Sequence, residues 1–185
     1  MLYFATGNKN KFQEAKRILA AEGVTIRHFS FSHTEIRSDR LEEIAVDAAA
    51  AAYARLKKPV FVEDSGLFID ALRGFPGTYS AWTEGKLGYR GILKLMKGIR
   101  NRKAYFGTTI ALATSKGIRI FRGRCNGRMA LRANGKQGFG YDPIFVPAGH
   151  RQTFAQSISL KNKLSHRYKS LLALVRHLKN MRIRL

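Results

Sequence analysis

Two short stretches hold the residue types best suited to chemistry. The first is TGNKNK, Thr6 to Lys11, which sets a hydroxyl, a glycine, two asparagines and two lysines between an apolar segment and a helix-patterned one. A glycine-containing turn at such a junction aims backbone N–H groups outward and adds the positive end of the helix dipole. Thr6, Gly7, Asn8, Lys9, Asn10 and Lys11 therefore read as a phosphate cradle. The spacing matches neither a P-loop nor a dinucleotide fingerprint, and an asparagine-capped turn with surface lysines fits the same residues. The second stretch is the carboxylate doublet Glu63-Asp64, in PVFVEDSG. Adjacent acids where an apolar run meets glycine are costly unless a cation answers them. A hard divalent ion such as Mg²⁺, shared with substrate phosphates, is one answer. An arginine partner for Glu63 and a capped turn at Asp64 are the other.

Two further segments carry aromatic and cationic groups. GFGYDPIF, Gly138 to Phe145, places Phe139 and Tyr141 around Gly140 and next to Asp142, a composition suited to stacking on a base while accepting its N–H groups. Loop packing is the plainer use of Tyr141. KNKLSHRYK offers Lys161, His166 and Arg167 near the start of the last helix, where donors reach a phosphate or a carbonyl. A helix-cap role fits His166 equally.

Positioning these groups needs an ordered frame. LYFAT reads as a first strand and KNKFQEAKRILAAEG as a helix ended by Gly23. VTIRHFSF is a second strand, and PVFVED a third that ends on the doublet. Between them Leu41, Ile44, Ala45, Ala48, Ala49, Ala52, Tyr53 and Leu56 recur at helical spacing, a helix packing through small side chains. Strand and helix in alternation predict an α/β protein with a partly parallel central sheet. After a short helix around GYRGILKLMKGI, the segments KAYFGTTIALATS and GIRIFRGRCNGRMAL form an antiparallel hairpin joined by SKG. The terminal stretch puts Leu164, Tyr168, Leu171, Leu172, Val175 and Leu178 on one stripe of an amphipathic helix. At 185 residues the chain fits one domain over residues 1–185, or one domain folded as two lobes.

The formal charge of +22 comes from 34 Lys and Arg against 12 Asp and Glu, and eight of the acids lie between Glu35 and Asp70. Such a field attracts polyanions, so nucleotides, nucleic acid and anionic surfaces are all admitted, and weak nonspecific attraction to nucleic acid is expected. No apolar run approaches the ~20 residues of a membrane span, and the N-terminus lacks the pattern of a signal peptide. The single cysteine, Cys125, excludes an internal disulfide framework and fits a reducing cytoplasm.

TGNKNK, VEDSGLFIDALRGFPGTYSA, FGYDPIF and KNKLSHR stand in the order, and at about the spacing, of one family. The chain resembles the inosine triphosphate pyrophosphatases, which remove noncanonical purine nucleoside triphosphates, over nearly its whole length. The resemblance implies an elongated, two-lobed mixed-sheet α/β fold with a central active-site cleft, a homodimer, and Mg²⁺-dependent hydrolysis of ITP, dITP and XTP to the monophosphate and pyrophosphate. It implies that Thr6 through Lys11 and Ser65 hold the triphosphate, with Lys11 assisting catalysis. Asp64 is then the general base or metal-bound carboxylate, with Glu35 in HTEIRSD and Glu63 as further metal ligands. Phe139, Gly140, Tyr141 and Asp142 would hold the base, Lys161 the phosphate region, and His166 with Arg167 the purine edge. Two positions depart from the pattern: Ala48 where relatives carry a helix lysine, and Gln156 where they carry Glu. A basic nucleic-acid-binding protein on a nucleotide fold is the alternative from another class, and a pyrophosphatase for modified pyrimidine nucleotides the nearer one.

Overall fold

The computed structural model describes residues 1–180. Among them the strands are β1 (Leu2–Ala5), β2 (Ile26–Phe29), β3 (Val60–Ile69), β4 (Pro76–Gly77), β5 (Lys103–Thr114), β6 (Gly117–Met129) and β7 (Phe145–Pro147). The helices are α1 (Lys9–Ala21), α2 (Leu41–Leu56), α3 (Ser80–Leu95), α4 (Ile158–Leu164) and α5 (His166–Asn180). The strands form one mixed sheet in the order β2-β1-β3-β5-β6-β7, with β4 paired to β3. β1 runs parallel to β2 and to β3, whereas β4 on β3 and β7 on β6 are antiparallel. The chain is thus a mixed α/β protein, as its alternating pattern implies.

It divides into two compact units, each assembled from separate stretches. The first comprises residues 1–64, 108–123 and 167 onward, and its three layers follow from strand alternation. Leu2, Phe4, Phe61, Ile110 and Leu112 face the apolar stripes of α1 (Ala15, Ile18, Leu19) and α5 (Leu171, Leu174, Val175, Leu178). The intervening Ala5, Val60, Ala111 and Ala113 face α2, which approaches through Ala45, Ala49 and Ala52. Asn8 caps α1 by accepting from the Lys11 N–H at 3.0 Å, a bond that typically stabilises a helix by ~1 kcal/mol. Gly23, at φ 77°, follows its end in the left-handed region open to glycine.

The second unit comprises residues 65–107 and 124–166. Its core gathers Leu67 and Ile69 of β3, Phe106 of β5, Cys125 and Met129 of β6, Phe145 of β7, and Ile92 and Met96 around the end of α3. Cys125 is buried there as a small apolar group.

Three boundaries differ from the sequence expectation. β3 does not end at Glu63-Asp64 but runs on through Ser65 and Gly66 to Ile69. Gly66 marks a close approach and not a turn: a Cβ there would sit 2.1 Å from the Gly77 carbonyl oxygen. α3 starts at Ser80, ahead of the expected short helix, and is kinked at Gly88. The terminal stretch is two helices, because Ser165 adopts an extended conformation between α4 and α5. No helix among the described residues is long and apolar enough to cross a membrane.

Candidate active site

The expected site residues fall into two groups, one in each unit. In the first unit the cradle is a hydrogen-bonded turn. The Asn8 N–H donates to Thr6 Oγ1, the Lys11 N–H to Asn8 Oδ1, and the Phe12 N–H to the Asn8 carbonyl, while the Thr6 N–H reaches the Phe29 carbonyl on β2. These bonds leave the Gly7, Lys9 and Asn10 N–H groups with no acceptor among the described residues. A loop with three open amide donors at the head of a 13-residue helix and flanked by lysines is chemically an anion site.

Lys11 is anchored. Its Nζ donates to the Glu63 carbonyl at 3.3 Å and lies 3.6 Å from Glu63 Oε1. Glu63, set beside Asp64 as a metal ligand in the sequence reading, is instead enclosed. Its side chain is fully buried and takes a two-pronged contact from Arg167, Nε to Oε2 at 2.7 Å and Nη2 to Oε1 at 2.8 Å. The third guanidinium nitrogen donates to Glu14 Oε2 at 2.6 Å. Burial alone would depress the Arg167 pKa; the charges and hydrogen bonds of Glu63 and Glu14 override it and hold it above the usual arginine value. Arg167, expected at the purine edge, is only 2% exposed and spends all three nitrogens on carboxylates. It therefore holds β3, α1 and α5 together. Asp64 is partly buried on β3, and Glu35 is exposed in the segment between β2 and α2. No group of three or more His, Cys, Asp or Glu side chains among the described residues is gathered as a metal site.

In the second unit, Phe139, Asp142 and Lys161 come together. Asp142 is 2% exposed, and its Oδ2 accepts from the Phe139 N–H at 2.8 Å and from Lys161 Nζ at 2.6 Å. The ammonium of Lys161 also stands 4.3 Å from the Phe139 ring centre. The loop depends on Gly138, at φ 77°, where a Cβ would lie 2.2 Å from Asp142 Oδ2. His166 stacks on Phe106, centroids 4.6 Å apart. Tyr141, offered as a base-stacking ring, is instead part of the core, and its hydroxyl donates to the Ser80 carbonyl at 3.0 Å. Burial pushes its phenol well above the usual pKa, and the Glu84 carboxylate adds to this. Phe139, half-buried, is left as the ring of the loop that can meet a ligand. Ser65 and Gly140 are partly exposed.

The two departures are also placed. Ala48 is buried on α2, and Gln156 Oε1 accepts from the Thr153 N–H at 3.0 Å, closing the turn before α4. Sequence reasoning missed His28, whose Nε2 lies 2.7 Å from the Thr6 carbonyl. A histidine in the strand that runs parallel to the one feeding a cradle was its only signal.

The fold thus carries an open amide cradle, a carboxylate on the adjacent strand and a separate aromatic, cationic cluster. The model of the Ham1 family matches residues 2–177, and the chain belongs to that family. It is 44% identical over 180 residues to the dITP/XTP pyrophosphatase of Hyperthermus butylicus, covering 97% of this chain and 95% of that one. It is 48% identical over 170 residues to the dITP/XTP pyrophosphatase of Methanopyrus kandleri, covering 91% and 90%. Among solved structures, a Ham1 protein from Coxiella burnetii superposes with a TM-score of 0.84 at 29% identity, covering 97% of this chain and 98% of that one.

Proposed function

We propose that the chain hydrolyses noncanonical purine nucleoside triphosphates, dITP and XTP foremost and ITP with them, to the monophosphate and pyrophosphate. The observation that carries the reading is the Thr6–Lys11 loop, with three amide donors open and Lys11 held against β3 one residue from Asp64. The reaction breaks the anhydride between the α and β phosphates, water supplying the new oxygen and a base taking its proton. Asp64, a partly buried carboxylate, takes that base role in this reading, a contribution of ~10²-fold or more in rate. Lys11 neutralises charge that builds on the phosphates, and the loop amides bind them.

Mg²⁺, which takes one or two carboxylates and completes its shell with water and phosphate, would be held by Asp64 and Glu35 in this reading. It does not fit Glu63, whose oxygens are already engaged. Bound there, the ion would supply charge neutralisation on the triphosphate oxygens. For the base, Phe139 provides a stacking face, and His166 a donor suited to the 6-carbonyl of hypoxanthine or xanthine. Adenine, with an amino group at that position, would leave a donor unmatched at a cost of ~1–3 kcal/mol per contact. The same reading takes the protein to act in the cytoplasm as a homodimer. Tyr79, Trp82 and Leu87 on and beside α3 are exposed apolar side chains that a second copy would cover.

The test is direct. Wild type and Asp64→Asn are incubated with dITP, XTP, ITP, ATP and GTP plus Mg²⁺, and the released phosphate species is identified. Pyrophosphate from the first three, with turnover down ~10²-fold or more in Asp64→Asn at unchanged melting temperature, is expected. Orthophosphate as the product, or near wild-type turnover in the variant, overturns the reading.

A further inference from the structure

His28 stands on β2 and belongs to no motif read from the sequence. Its Nε2 lies 2.7 Å from the carbonyl oxygen of Thr6. A carbonyl oxygen only accepts, so Nε2 carries the hydrogen and donates. The same ring packs against Phe12, centroids 4.7 Å apart, in the first turn of α1. One side chain thus grips both ends of the cradle: the peptide leaving β1 and the residue entering α1.

Peptide geometry gives that grip a consequence. The carbonyl of one residue and the N–H of the next lie on opposite sides of a trans peptide bond. The Thr6–Gly7 bond is trans, the one cis bond among the described residues being Phe75–Pro76. Holding the Thr6 oxygen toward His28 therefore turns the Gly7 N–H away from it. That N–H has no acceptor among the described residues, and a Cβ built on Gly7 would meet nothing within 4 Å. Gly7 itself is exposed.

We propose that His28 is a positioning residue for phosphate binding: it fixes the plane of the Thr6–Gly7 peptide so that the Gly7 N–H is presented to a phosphate oxygen of the substrate. This rests on the pyrophosphatase reading of the cradle. His28 itself touches no substrate. Without its hydrogen bond the peptide plane rotates more freely, and the donor loses its preset direction. Ground state and transition state use that donor alike, so the loss falls on KM and leaves kcat.

Four proteins separate the donor from the ring: wild type, His28→Ala, His28→Phe, which keeps an aromatic face for Phe12, and His28→Gln, whose amide nitrogen reaches about as far as Nε2 and donates. Each is assayed for pyrophosphate release from dITP and, by calorimetry, for binding of inorganic tripolyphosphate, and its melting temperature is recorded. Ala and Phe should raise KM and the tripolyphosphate Kd by ~3- to 10-fold, the worth of about one hydrogen bond, with kcat within about twofold. Gln should stay within about twofold of wild type in every reading. The proposal is overturned if Phe binds as wild type does, if Gln fails to restore what Ala loses, or if kcat and melting temperature fall while KM stays fixed. Absence of pyrophosphate release by the wild type would sink the pyrophosphatase reading instead, and the tripolyphosphate series still decides the role of His28.

Discussion

Glu63 and Asp64 are neighbours in sequence with opposite surroundings. Glu63 is sealed in the first unit under Arg167 and Lys11, while Asp64 is partly open on the same strand. A buried carboxylate with a two-pronged guanidinium partner is costly to break, because removing one charge strands the other in a low dielectric. Glu63→Gln should therefore destabilise the protein by ~3–5 kcal/mol, which at ~2–4 °C per kcal/mol for a chain of this size is a fall on the order of 10 °C in melting temperature. Glu43→Gln, which breaks an exposed pair with Arg40, should stay within ~1 kcal/mol. Differential scanning fluorimetry of the two variants checks both, and equal shifts would refute the structural role of Glu63. The sequence exposed the need for a cation at the doublet and offered an arginine as one answer. It could not say which, since the partner lies 104 residues away and is fixed only by the packing of α5 on the sheet.

At the scale of elements, the helix and strand patterns of the first unit were legible because its faces differ so sharply. Strand alternation sorts Leu2 and Phe4 from Tyr3 and Ala5, and the alanine run of α2 announces a close approach to the sheet. The end of β3 was not legible. Ser65-Gly66 has the composition of a turn, and only the pairing with β4 shows that the glycine is there to admit a carbonyl. The break between α4 and α5 was hidden as well: Ser165 sits inside an uninterrupted amphipathic pattern, yet it is buried with an extended backbone. The alanine face carries its own prediction. Ala49 is fully buried against the sheet, so Ala49→Leu overpacks the layer and should cost ~1–3 kcal/mol, whereas Ala50→Leu, on the exposed side of α2, should be close to neutral. Urea titrations with unchanged slopes would read the difference, and equal midpoints would mean that α2 does not pack as described.

For the whole molecule, both units are strongly basic, and the second has fifteen Lys and Arg against three acids, Asp70, Glu84 and Asp142. A field of this kind raises the local concentration of a triphosphate, and it should draw longer polyanions as well. We expect oligonucleotides to bind weakly and without sequence preference, affinity falling about tenfold between 50 and 200 mM salt for every two phosphates contacted. Fluorescence anisotropy across that salt range measures it. A salt-resistant, sequence-selective complex would favour a nucleic-acid-binding role over the pyrophosphatase reading.

The interleaving of the two units bears on how the chain is made. Glu14 and Glu63 emerge early from the ribosome, yet the guanidinium that neutralises both belongs to residue 167. At ~5–20 residues per second, the 104 residues between Glu63 and Arg167 take roughly 5–20 s to synthesise. Through that interval the interior of the first unit holds two carboxylates without their cation, and β1 and β3 lack the apolar stripe of α5. Closure of this unit therefore waits until α5 has been made. A nascent chain stalled before residue 167 should be open to proteases across residues 1–64, however much of its sequence has already been read out.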